Sequence, residues 1–189
     1  MKKKTIALIV CLTLIIGCAV GGTIAWLTDK TDPVVNTFTA GDVDITLAES
    51  ENLNLKMVPG NTITKDPKVT VAANSEACWL FVKVDKSANL DSFISYTIAD
   101  GWTPGEGTGE GKNGVPVGVY FREVAASGTN QTFSVLAGDT VTVKTDVTKA
   151  MLDGLSVEGA TQPTLTFTAY ACQKDNVTTA ADAWAKVQP

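Results

Sequence analysis

The chain has 189 residues, with 15 Lys and Arg against 20 Asp and Glu, and a formal net charge of −5. This length suffices for one domain with a hydrophobic core, and the acidic balance argues against nucleic acid and anionic membrane surfaces as partners. The sequence contains no histidine, which excludes a Ser-His-Asp triad, a Cys-His dyad and an HExxH zinc site. We therefore predict no catalytic residues, no metal ligands and no cofactor.

Residues 1–26 are predicted to form a secretory signal peptide. Lysines at positions 2–4 precede the uncharged apolar stretch 5–20, and small residues follow it, which is the layout of such a leader. Cleavage is expected after Ala25 or after Trp26. It removes three lysines and leaves 12 basic against 20 acidic residues, a formal charge of −8. The chain would then contact the membrane only through its leader before cleavage, and the remainder would be secreted to the cell surface or the extracellular matrix.

The residues leave two other interpretations of the leader open. The uncharged run continues to residue 27 and is just long enough to anchor the chain across a bilayer. Residues 15–18, IIGC, partly resemble a lipobox, in which Cys18 would be lipidated and become the N-terminus. The rest of the chain is exported in each case.

Beyond the leader, apolar and polar residues alternate with period two, which is typical of half-buried β-strands. The segment 78–85 is apolar on both faces for five residues and is predicted to be a central strand. In the segment 163–173 the pattern turns Leu165, Phe167, Ala169 and Ala171 inward. The other predicted strands lie within 42–49, 68–73, 93–100, 118–124, 132–138 and 139–147.

Helical patterns are confined to two short segments. The segment 148–155 predicts one or two turns that end at Gly154. The segment 178–187 predicts a C-terminal helix that is docked by Trp184 and capped by Thr178 or Thr179.

The regular strand spacing predicts the all-β class. We expect residues 27–189 to form a single antiparallel β-sandwich with one or two short helices, after the N-terminal signal peptide. The glycine-rich stretch 101–114, GWTPGEGTGEGKNG, predicts a flexible loop.

Two cysteines, Cys78 and Cys172, lie outside the leader. In an exported protein they can form a disulfide, which would close a loop of roughly ninety residues and stabilise the fold by several kcal/mol. The alternative is two buried free thiols that pack as small apolar groups.

Aspartates at positions 29, 32, 42 and 44 cluster near the mature N-terminus. Their oxygen atoms could bind calcium, but their spacing is not that of a calcium loop, and a solvated acidic face is the simpler interpretation.

Three stretches carry a resemblance to a known family. They are GGTIAWLTD (21–29), NTFTAGDVDITLAE (36–49) and VPGNTITKDPKVTV (58–71). In this order, the sequence resembles the TasA/camelysin family of exported proteins of Gram-positive bacteria, which the signal peptidase SipW processes. Later pieces, SEACWLFVKV (75–84), GVYFREV (118–124) and TAYACQ with TAADAWAKV (168–187), also resemble members of that family.

The resemblance implies a jelly-roll-like β-sandwich and a structural role in the extracellular biofilm matrix. It further implies fibres in which the N-terminal segment of one subunit completes the sheet of the next. In this sequence the segment runs from Leu27 to Thr39, with Val34, Val35 and Phe38 as candidate anchors. The implied partners are further copies of the chain, other matrix components and SipW during export.

The family also carries a peptidase label under the camelysin name. Because the chain has no histidine, we favour a matrix subunit over a peptidase. A surface-anchored adhesin or carbohydrate-binding lipoprotein is the alternative function.

Overall fold

The computed structural model describes residues 42–50 and 56–188. Within these ranges the chain forms ten strands and two α-helices. The helices are α1 (Lys149–Leu155) and α2 (Ala180–Val187). The strands are β1 (Ile45–Ala48), β2 (Thr62–Thr64), β3 (Lys68–Val71), β4 (Cys78–Lys86), β5 (Ile94–Ser95), β6 (Thr103–Pro104), β7 (Val119–Val124), β8 (Gln131–Ser134), β9 (Thr140–Val143) and β10 (Leu165–Gln173).

The strands form three antiparallel sheets. The four-stranded sheet has the order β10-β4-β7-β6, and the two smaller sheets have the orders β1-β3-β8 and β2-β9-β5. The predicted all-β class and antiparallel pairing are therefore confirmed.

The two smaller sheets continue into each other. Strand β2 runs on into β3, and β8 runs on into β9. Between them, Lys65 N–H donates to the carbonyl of Asp139 and Val135 N–H donates to the carbonyl of Pro67, each at 2.9 Å. The two sheets thus act as one bent layer of the sandwich.

Strand β4 lies between β10 and β7, as its two apolar faces predict. Leu80 and Val82 on one face pack against Val69 and Val71 of β3. On the other face, Phe81 packs against Trp184 of α2, with ring centroids 5.3 Å apart. The central sheet therefore buries both faces, one under the bent layer and one under α2.

Strand β10 follows the predicted alternation. Leu165 and Phe167 pack in a core cluster with Ile63 and Val141, and Ala169 and Ala171 contribute to the neighbouring cluster around β3. These four side chains face the bent layer, as expected from the period of two.

The helices differ slightly from their predicted bounds. Thr179 caps α2, since its Oγ1 accepts the backbone N–H of Asp182 at 3.1 Å. Gly154 does not end α1, which continues to Leu155 and is followed by Ser156. The prediction placed too much weight on this glycine, because a glycine inside a short helix costs only about 1 kcal/mol relative to alanine.

The glycine-rich stretch 101–114 contains β6 and leads towards β7, and a network centred on Asn113 fixes its path. The side-chain amide of Asn113 donates to the carbonyl of Pro104 at 2.8 Å, and its oxygen accepts the N–H of Glu106 at 3.0 Å. Of the glycines in this stretch, Gly105 lies closest to another backbone segment of the protein. A Cβ atom there would come within 2.1 Å of the carbonyl oxygen of Pro116.

Gly105→Ala is therefore expected to destabilise the protein by about 3 kcal/mol or more, because the atom that a Cβ would meet belongs to rigid backbone. Gly128→Ala is the matched control, since a Cβ atom at Gly128 would meet nothing within 4 Å. We expect the control to change the free energy of unfolding by at most about 1 kcal/mol. Urea denaturation of both variants measures the difference, and equal stabilities would contradict the close approach at Gly105.

Candidate assembly site

One flank of the sandwich is closed by an aromatic clamp around Arg122 of β7. The guanidinium lies 3.9 Å from the ring centroid of Phe133 and 5.4 Å from that of Trp102. Trp102 Nε1–H donates to the carbonyl of Ser134 at 2.9 Å. Burial lowers the pKa of Arg122, but a guanidinium keeps its charge in proteins. The clamp joins β7 of the central sheet to β8 of the bent layer.

Backbone pairing extends this closed flank. Ala99 N–H donates to the carbonyl of Val135 and Ala137 N–H donates to that of Thr97, each at 2.9 Å. An incoming strand would therefore find the backbone here already paired.

The opposite flank, between β2 and β10, is open. It contains a cavity of about 460 Å³, which lies between the edge strand of one layer and the edge strand of the other. Its apolar lining comes from both layers and from the chain that precedes β2. These residues are Met57, Ile63, Leu90, Ile94, Val141, Pro163 and Leu165.

A second cavity of about 290 Å³ lies on the same flank, beside the end of β1. Leu47 and Phe167 contribute to its lining. Lys65, Leu165 and Thr166 line both cavities. We refer to the two cavities together as the flank groove.

In the part of the chain that the structure describes, one backbone edge of strand β2 has no partner strand and borders the flank groove. Among the described residues its only partner strand is β9, with Ile63 opposite Val141. The flanking bonds run from Val143 N–H to Asn61 O and from Lys65 N–H to Asp139 O, each at 2.9 Å.

Residues of an antiparallel strand alternate between bonding to the partner and pointing away from it. Asn61 and Lys65 bond to β9 or its extension, so the pattern assigns the same direction to Ile63. The backbone groups of Thr62 and Thr64 therefore point away from β9. They can bond to an added strand without breaking the existing ladder.

The N-terminal segment leaves the described fold at the other end of β1. The carbonyls of Asp44 and Asp42 accept the N–H groups of Ala72 and Glu76, at 2.9 and 3.1 Å. Ala48, at the groove end of β1, pairs with Lys68. The stretch from residue 42 to residue 48 spans about 20 Å at ~3.3 Å per residue. Residue 42, where the described chain begins, and the flank groove are thus at opposite ends of β1.

The predicted donor segment and processing sites lie outside the described residues. This holds for Ala25 and Trp26 at the cleavage site and for the anchors Val34, Val35 and Phe38. Their predicted roles stay predictions.

In the structure Cys78 and Cys172 are free thiols, which is the second of the two alternatives that the sequence left open. Cys172 is paired in register with Trp79, whereas Cys78 is paired with Gln173. Because side chains alternate across a sheet, Cys78 packs in the core under the bent layer, and Cys172 packs with Trp79 on the side of α2. Exported location and loop length do not specify which face each cysteine occupies.

No group of three or more His, Cys, Asp and Glu side chains in residues 42–50 and 56–188 could hold a metal ion. In the same ranges, no helix is long and apolar enough to cross a membrane.

Residues 1–77 match the family model described as "Camelysin metallo-endopeptidase". The resemblance to the TasA/camelysin family is thereby confirmed. The match covers the N-terminal part of the chain, including β1, β2 and β3. The second edge of the flank groove, β10, lies beyond it.

No curated protein matches the chain. Among solved structures, it is similar to "Enterococcal surface protein, partial N-terminal region", with 13% sequence identity and a TM-score of 0.34. The alignment covers 82% of this chain and 43% of that chain. This likeness is too distant to bear on function.

Sequence reasoning missed both the groove and the strand that borders it. The triplet TIT at 62–64 lies between the turn VPGN and the segment KDP; these flanking turns mark a short segment, but three residues are too few to show the period of a strand. Lys65, which lines both cavities, carries no signal of its own in the sequence.

The free thiols are expected to differ in reactivity. Burial, together with the nearby Cys172, raises the pKa of Cys78 to about 11, so its thiol is protonated at about pH 8, near the usual thiol pKa. In a chain that begins at residue 27, iodoacetamide should leave Cys78 unlabelled in the native state and label both thiols in denaturant without reductant. Mass spectrometry, with Cys172→Ala to assign the sites, measures this. An unreduced, unfolded chain that resists labelling would instead indicate a disulfide.

Proposed function

We propose that this protein is a secreted structural subunit of an extracellular biofilm matrix, and that it assembles into fibres by donation of its N-terminal strand. The observation that carries the proposal is the position of the β2 edge and its apolar groove at the far end of β1 from residue 42, where the described chain begins. The match of residues 1–77 to the camelysin family model supports it.

The proposed donor is the segment Leu27–Thr39. Extended at ~3.3 Å per residue, its 13 residues reach about 40 Å. Among the candidate anchors Val34, Val35 and Phe38, alternation along a strand puts Val34 and Phe38 on one face and Val35 on the other, so one of the two faces would supply apolar side chains to a groove lined by Ile63, Leu165 and their neighbours. The backbone of the donor would satisfy the outward groups of Thr62 and Thr64, which is β-strand addition.

A subunit that donates its strand at one end of β1 and accepts a strand at the other end would favour an open polymer. A subunit whose donated segment enters the groove of the next leaves its own groove available, so the contact is heterologous and does not close on itself. Such head-to-tail contacts produce a fibre as long as successive subunits do not rotate into a ring.

Export precedes assembly in this proposal. SipW would remove the leader after Ala25 or Trp26 and free the segment that starts at Leu27. The partners are further copies of the chain and other matrix components. A charge of −8 without the leader disfavours nucleic acid as a ligand.

We infer that peptidase activity is not part of this function. The matched family is described as a metallo-endopeptidase, but catalytic zinc sites are built around histidine ligands, and none of the 189 residues is histidine. An adhesin or carbohydrate-binding lipoprotein remains the second candidate. A diacylglyceryl group on Cys18, found by intact mass in the membrane fraction, would favour that candidate over a cleaved subunit.

Deleting residues 27–38 tests the donor. The shortened chain should fold, because its core lies within residues 42–188, but it should not form fibres by itself. Added to the full mature chain, it should cap fibres and shorten them, since it keeps the flank groove and lacks the donor. Circular dichroism, light scattering and electron microscopy measure these outcomes. Normal fibres from the shortened chain would reject strand donation by this segment.

Thr64→Pro tests the acceptor edge. The N–H of Thr64 points away from β9, so proline removes a donor that only an added strand uses, and edge strands tolerate proline. We expect a folded monomer whose fibre yield falls at least about tenfold, the effect of losing roughly 1.4 kcal/mol per contact. Thr64→Val is the control, because it keeps the N–H and should still assemble. If both variants form fibres equally well, the β2 edge is not the acceptor.

A further inference from the structure

One ion pair stands where the two cavities of the flank groove meet. Lys65 Nζ lies 2.9 Å from Oε1 and 3.1 Å from Oε2 of Glu49. Lys65 lines both cavities, and Glu49 lines the smaller one.

The ion pair lies within the bent layer, on the flank that faces β10. Glu49 follows the last residue of β1 and Lys65 follows β2, and both strands belong to the bent layer. The Lys65 ammonium lies 5.5 Å from the ring centroid of Phe167 on β10. The side chains of Lys65 and Glu49 are 15% and 32% exposed, so solvent screens the pair less than a fully exposed one.

A second pair of residues, Ser50 and Asp66, is hydrogen-bonded next to the ion pair and holds the chain at the same edge. Ser50 donates to Asp66 from its Oγ at 2.6 Å and from its backbone N–H at 3.0 Å. The side-chain bond, followed by the backbone bond, lowers the pKa of the Asp66 carboxyl. Glu49 and Ser50 thus hold the chain after β1 against the residues that follow β2. A strand added along β2 reaches these contacts as soon as it extends past Thr64.

We propose that the Lys65–Glu49 ion pair is a latch that closes the flank groove of the free subunit and must open before an incoming strand can occupy both cavities. This inference rests on the proposed function, because it assigns a regulator to the same groove. The latch slows the first binding step, so subunits stay monomeric until their local concentration is high. Opening it releases Lys65 from the rim shared by the two cavities.

Two substitutions that break the latch from opposite sides test it. Lys65→Met keeps the length and apolar stem of the side chain, and Glu49→Gln keeps the shape of the acid. Because they change the net charge in opposite directions, a shared effect cannot come from net charge. Lys149→Met is the matched control, as it breaks the exposed Lys149–Asp153 pair on α1, whose side chains are 85% and 61% exposed.

The first readout does not depend on assembly. The shortened chain that starts at residue 39 is titrated with Nile red, an uncharged apolar dye. An increase in dye fluorescence reports access to the flank groove. Lys65→Met and Glu49→Gln should each raise dye binding about three- to tenfold, the range expected for a partly buried ion pair. The control should bind like the parent chain. Equal dye binding by all four chains would overturn the latch.

The second readout adds a synthetic peptide of residues 27–39 to the same chains. The two latch variants should bind it about three- to tenfold faster than the parent, as measured by stopped-flow fluorescence. If the peptide binds all chains at one rate, the latch is wrong and strand donation stands. If the peptide binds none of them while the dye distinguishes the variants, strand donation into this groove fails and the latch stands as a closure of the groove.

Discussion

The fold depends on one strand that is apolar on both faces. Residues 78–82 of β4 are all buried, so both sides of the central sheet must be covered. The bent layer covers one side and α2 covers the other, where Trp184 packs between Phe81 and Tyr170 with ring centroids 5.3 Å away from each. Both faces of the central sheet are therefore occupied by the core, and its backbone can accept a further strand only at its edges.

The two flanks differ in chemistry. On one, the guanidinium of Arg122 fills the space between Trp102 and Phe133, and the long planar side chain serves as packing as well as charge. On the other, a flexible lysine lies across an apolar groove and is held by a single acid. The first arrangement is difficult to open because it would leave a partly buried cation without its aromatic neighbours. The second is held by an ion pair and by the neighbouring Ser50–Asp66 hydrogen bonds, which fits the proposal that this flank admits a strand.

Much of the fold was predictable because its core strands are long enough to show their period. The inward side chains of β10 and the central place of β4 follow from apolar patterns within nine residues. The short strands β2 and β6 were missed, since three and two residues show no period, and their pairing depends on β9 and β7, which are distant in sequence. The flank groove could not be predicted from the sequence, because it is lined by Met57, Ile63 and Leu165, which only tertiary structure brings together. The sequence also could not show that Cys78 and Cys172 lie on opposite faces of the sheet, because this depends on the register of β4 against β10.

The position of the groove also bears on how assembly could be kept in check. A free edge beside an apolar groove is a risk in any secreted protein, since it can pair with unrelated strands. Natural edges are protected by charged residues, and here the charge is Lys65, held in place by Glu49 at the end of β1. In the proposed contact, β1 stands between the two participating parts of the chain. Glu49, just after its last residue, contacts Lys65 beside the edge of β2, and the proposed donor segment precedes β1 in the sequence.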